Sequence, residues 1–156
     1  MDSLQIFGLQ FLLSLVGYGL IAKWYVAPRL AALPLHDGLI PLLFLHAFRH
    51  LGLVFLVPAV VAPSLARGFA VSAAYGDLLA GVLALLAIVA LRTRWSLALV
   101  LTWLANIVGT LDLLNALRHA DVILQLGSAW YIPTFVVPAL LVTHFMIFIM
   151  LIKPSR

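Results

Sequence analysis

The sequence predicts an all-α membrane protein, a bundle of five transmembrane helices, and three observations carry that prediction. Hydrophobic residues fill 65% of the 156 positions and charged residues 9%, against roughly 45–50% and about 25% in soluble domains. Five apolar stretches, at about 4–26, 40–62, 70–91, 95–118 and 128–152, each supply the ~20 residues that one bilayer crossing needs. Prolines, charges or interfacial aromatics bound every stretch, which leaves no room for a soluble domain. One integral membrane domain over residues 1–156 is expected.

The first stretch has no basic leader, only Asp2, and ends in "AKWYVAP" rather than in a small-residue cleavage site. It reads as a retained helix, not a signal peptide. The second carries "LHAFRH" (45–50) in an otherwise apolar run. In the third, Ala73, Gly76, Ala80 and Ala84 recur near helical spacing, with Gly81 and Ala87 alongside. Small residues let a neighbouring backbone approach closely, so this helix is expected at the centre. The fourth carries Thr102, Asn106 and Thr110 on one face and Asp112, Asn115 and His119 on another. Pro58, Pro133 and Pro138 lie inside the second and fifth stretches, where each frees a carbonyl and kinks its helix.

Five crossings place the termini on opposite sides. Lys23, Arg29, Arg92, Arg94, Lys153 and Arg156 gather on one side, Arg67 and Arg118 on the other. The positive-inside rule then sets the N-terminus outside and the C-terminus in the cytoplasm. Trp24, Tyr25 and Trp95 fall at the inner interface and Trp130 and Tyr131 at the outer one. The net charge of +4 comes without a basic run, so lipid headgroups rather than nucleic acid are the expected partner.

Ionisable groups at membrane depth cost at least ~2.5–3.5 kcal/mol each and therefore face one another or a water-filled space. On an ideal helix entering near Pro41, His46 lies ~8 Å deep and Arg49 and His50 ~12–14 Å deep, within one arc of about 100°. His144 on the fifth helix comes out level with His46. Asp77 lies within reach of Arg49, and an Arg49–Asp77 ion pair is expected, with neutral histidines hydrogen-bonding across helices as structural groups.

Three functional readings remain open. His46, Arg49, His50, Asp77, Asn106, Asp112, Asn115 and His144 form a polar column through which a proton or small solute is bound or translocated, with His46 and His144 as its cytoplasmic mouth. Alternatively, His46, His50 and His144 hold a transition metal, or one of the first two joins His144 as an axial haem ligand in a redox protein. A third reading makes the polar residues the internal glue of a helper subunit, with oligomer formation open. No cofactor is required by the sequence, cysteine is absent, and no motif identifies a reaction. "AAYGDLL" and "GTLDLL" look a little like the paired-aspartate motifs of presenilin-type intramembrane proteases, but the full Gly-x-Gly-Asp is missing and the helices are too few, so the likeness is read as chance.

Together, "HAFRHLGLVFLVP", "AAYGDLLAGVLALLA", "ANIVGTLDLLNAL" and "WYIPTFVVPALLVTHFMIF" resemble a family of small bacterial integral membrane proteins with no assigned function. The resemblance implies a multi-pass protein of the bacterial inner membrane and five helices. It implies no activity and no site.

Overall fold

The computed structural model describes residues 1–153; Arg156, counted above among the basic residues of one end, lies outside them. Among the described residues five helices are long and apolar enough to cross a membrane: α1 (Ser3–Ala31), α2 (Leu35–Leu56), α3 (Arg67–Arg92), α4 (Ala98–Leu117) and α5 (Gly127–Ile152). Their outward faces are apolar, with Leu13, Val16, Leu85, Val89, Leu111 and Phe145 all exposed. The interior holds His46, Arg49, Asp77, Asn106 and His144. This inversion of the soluble pattern is what a lipid-facing surface requires.

The small residues of α3 are buried as predicted, Ala73, Ala80, Gly81, Ala84 and Ala87 among them, and α2 and α4 pack closely against it. The helix is not the centre of the bundle, however: α5 packs against three helices, α1, α2 and α4. No residue of Ser3–Ile21 is buried. The α1 helix instead lies against α5, fixed by the Trp130 Nε1–H bond to Gln10 Oε1 (2.7 Å) and by an edge-on Phe7–Trp130 contact.

Two helices widen into π turns, at Ala22–Val26 and Ile132–Val136, and each widened turn precedes a proline by two positions, Pro28 and Pro138. A proline ring collides with the carbonyl four residues back and offers it no N–H; the π turn relieves the collision. In α1 the Arg29 guanidinium then donates to the Tyr25 carbonyl at 2.7 Å.

The α2 helix ends at Leu56 rather than near residue 62. It is α-helical over Leu35–Ala47 and a 3-10 helix over Phe48–Leu56. The 3-10 form rises ~2.0 Å per residue against ~1.5 Å, so fewer residues cover the same depth. After Pro58 the chain turns, and its backbone pairs with the α4–α5 connection and the start of α5: the Ala62 N–H donates to Gln125 O and the Ser128 N–H to Val60 O, both at 2.9 Å. Gly127 makes this close approach possible: its φ is +55°, and a Cβ there would overlap the Val60 carbonyl. The α4–α5 connection also contains a 3-10 turn, Ala120–Gln125, in the stretch between the fourth and fifth predicted spans.

At the opposite end, α3 closes with the Trp95 N–H on Ala90 O (2.9 Å) and Arg94 in the left-handed region. Arg94 grips both carboxylate oxygens of Asp37 at 2.9 and 2.7 Å, tying the start of α2 to the end of α3.

Candidate functional site: a buried arginine between two aspartates

Arg49 sits on the 3-10 half of α2 with 1% of its side chain accessible. Its guanidinium binds three other helices. Nε donates to Asp77 Oδ1 on α3 at 2.7 Å, Nη2 to Asp112 Oδ2 on α4 at 2.5 Å, and Nη1 to the Gly109 carbonyl on α4 at 2.8 Å. Nη1 also faces His144 Nε2 on α5 at 3.4 Å. The expected Arg49–Asp77 pair forms, and Asp112 joins it.

The histidine layer adjoins this cluster. His144 Nδ1 meets Asn106 Oδ1 at 2.6 Å, and Asn106 Nδ2 donates to the His144 carbonyl at 3.2 Å. A guanidinium offers only donors, so His144 Nε2 accepts, the proton sits on Nδ1, and Asn106 Oδ1 receives it. The His46 ring lies against the His144 ring with centroids 3.9 Å apart, and its Nε2 meets Thr143 Oγ1 at 3.1 Å. His46 Nδ1 has no hydrogen-bond partner among the described residues.

Glycines make the cluster's geometry possible. A Cβ on Gly52 would overlap the Asp77 carboxylate, and one on Gly76 would overlap that of Asp112. A Cβ on Gly109 would stand 2.7 Å from the His144 ring and 2.8 Å from Arg49 Nη1. The second carboxylate oxygens, Asp77 Oδ2 and Asp112 Oδ1, accept no hydrogen bond among the described residues. These two side chains keep 13% and 15% accessibility, because both line a cavity of about 80 Å³. Phe7, Phe55, Phe69 and Val122 supply part of its apolar wall. A second, more polar recess between α3 and α4 also reaches Asp112, past Ser72, Asn115 and His119. On the other side of the cluster, toward Arg92 and Arg94, the packed side chains of Leu39, Leu43, Ala84, Leu91 and Ile147 close the interior.

The structure thus brings together Arg49, Asp77, Asp112, Asn106, His46 and His144, and leaves out two of the expected residues. His50 is exposed, with Nδ1 turned to the Ala47 carbonyl at 3.2 Å. The ideal-helix arc fails here because the 3-10 form steps ~120° per residue: His46 and Arg49, three apart, eclipse, and His50 turns away. Asn115 is exposed and only borders the recess. His46 and His144, each 3% exposed, are sealed and form no mouth.

These placements also bear on the metal and haem readings. His50 does not converge with His46 and His144, and no group of three His, Asp or Glu side chains among the described residues is arranged to hold a metal. With the His46 and His144 rings in contact, no room remains for a macrocycle between them. Nor do Asp77 and Asp112 meet as a proton-sharing dyad, since the guanidinium bridges them.

Sequence reasoning missed the Gly109 carbonyl, Thr143 and the glycine cradle. The available signal was the spacing of glycine to charge: Gly52 three residues after Arg49, Gly76 beside Asp77, and Gly109 three residues before Asp112.

No curated protein and no solved structure matches the chain. A family described as a domain of unknown function matches residues 6–152, nearly the whole length. The chain belongs to that family, DUF8737.

Proposed function

We propose that the chain is a multi-pass protein of a bacterial cytoplasmic membrane that binds a proton or small cation at the Arg49–Asp77–Asp112 cluster and passes it across the bilayer. The observation that carries this reading is the charge count. One guanidinium faces two carboxylates that line a cavity, each with one oxygen that accepts no hydrogen bond among the described residues. Unbalanced charge in an apolar interior is costly, so a proton or cation that completes the set lowers the free energy.

The basic residues support an orientation with the N-terminus outside and the C-terminus cytoplasmic, which turns the cavity toward the outer face. His46, His144, Asn106 and Thr143 are the next polar groups inward. Beyond them the apolar layer must part for passage to the cytoplasm. The 3-10 half of α2, which carries Arg49 on weaker hydrogen-bond geometry, is the segment best suited to move.

The test is a pH gradient imposed on proteoliposomes with an entrapped pH-sensitive dye. Wild-type protein should dissipate the gradient faster than empty liposomes do, and Asp77→Asn or Asp112→Asn should slow it. Wild-type liposomes that hold the gradient as well as empty ones would remove passive proton conduction.

A second reading, polar glue in a helper subunit, is favoured by one observation: all three guanidinium nitrogens of Arg49 are engaged on other helices. Under that reading the same variants lose stability, and the wild type carries nothing.

A further inference from the structure

The cavity that ends on Asp77 and Asp112 constrains which cation the cluster takes. Its walls are mainly hydrocarbon and aromatic, with the His119 ring among them, and Asp77 and Asp112 are its two anionic acceptors. An inorganic cation such as Ca²⁺ takes ~6–8 oxygen ligands, and Mg²⁺ a full octahedral shell. Two carboxylates in an apolar pocket do not replace such a shell. An organic ammonium needs less. Its N–H groups donate to two or three carboxylate oxygens in charge-assisted bonds, its alkyl part gains from leaving water, and aromatic neighbours attract its positive surface.

We propose that this site takes a small alkylammonium cation, its nitrogen on the free oxygens of Asp77 and Asp112 and its alkyl group against the apolar wall to which Phe55 and Phe69 belong. The proposal rests on the reading of the cluster as a cation site. Asp77 is only 9% exposed and lines the cavity, and its Oδ2, packed against Gly52, accepts no hydrogen bond among the described residues. Arg49 holds the opposite oxygens, Asp77 Oδ1 and Asp112 Oδ2, and so orders the carboxylates without occupying the side the ligand uses. Size sets an upper bound. An apolar cavity of ~150 Å³ holds benzene, so one of about 80 Å³ suits a cation of a few heavy atoms.

The probe is ethylammonium chloride titrated calorimetrically into the detergent-solubilised full chain, with ethanol as the neutral isostere and NaCl and KCl at matched ionic strength. Ethylammonium should bind saturably, and ethanol at least about tenfold more weakly, the weight of a charge-assisted hydrogen bond. Asp112→Asn should weaken ethylammonium by a similar factor. Ala116→Leu, which fills the cavity without changing a charge, should abolish binding and serves where Asp112→Asn does not fold. Ethanol binding as tightly as ethylammonium, Na⁺ or K⁺ displacing it at equal concentration, or no saturable binding to the wild type would each overturn the proposal. If ethylammonium fails while proteoliposomes still carry protons in an Asp112-dependent way, this inference falls and the proton reading stands. If both fail, the cation site itself is overturned.

Discussion

Arg49 and Asp77, on neighbouring helices, meet through Nε and Oδ1 at 2.7 Å where the arginine side chain is 1% exposed. At such a depth each charge has lost its water, and the pair persists because every engaged donor has a well-placed acceptor. The consequence is a shared junction. Four helices, α2 to α5, are joined at one guanidinium, and the polar residues of the interior are ordered around it.

Arg49→Ala should destabilise the solubilised protein by about 3–5 kcal/mol, the range for removing one partner of a buried ion pair. Asp77 and Asp112 would both lose their counter-charge. Arg49→Leu with Asp77→Leu should recover only part of this, because Asp112 stays unpaired. Adding Asp112→Leu should recover more. Thermal unfolding of the series checks the order, and a triple variant less stable than the double would show that Asp112 is not a partner.

Gly76→Ala and Gly52→Ala should lower the melting temperature and displace the carboxylates they touch, since a Cβ at either position overlaps one. Gly8→Ala and Gly17→Ala meet nothing within 4 Å and should be neutral or slightly stabilising. Equal effects at all four positions would contradict the cradle.

Asn106 fixes the His144 tautomer. Nitrogen NMR of labelled protein should show His144 with its proton on Nδ1, and Asn106→Leu should remove that preference and loosen the His46–His144 contact. A His144 protonated on Nε2 in the wild type would be incompatible with Arg49 Nη1 at 3.4 Å.

Much of this arrangement was legible in the residues. The five spans follow from apolar length, the close packing of α3 on its neighbours from its alanines and glycines, and the Arg49–Asp77 pair from depth and side-chain reach. His50 shows where the reading stops: an α-helical wheel places it with His46, and only the change to 3-10 geometry at Phe48 turns it outward. Asp112 reads from the sequence as one member of the polar column rather than as a partner of Arg49, because helix rotation about its own axis is set by packing, such as the Gly76 contact. The Gly109 carbonyl was invisible for a related reason. A backbone group belongs to every residue, and only tertiary structure shows which one a side chain finds.

The central claim is that the cluster takes up and releases positive charge rather than holding a fixed set. Infrared difference spectroscopy of the protein in lipid, between alkaline and acidic buffer, tests it most directly through the carboxyl C=O stretch. The account predicts a reversible band from a buried protonated carboxyl that disappears in Asp77→Asn or Asp112→Asn. A spectrum without that band, or one that both variants leave unchanged, would contradict it and make Arg49, Asp77 and Asp112 a structural clamp.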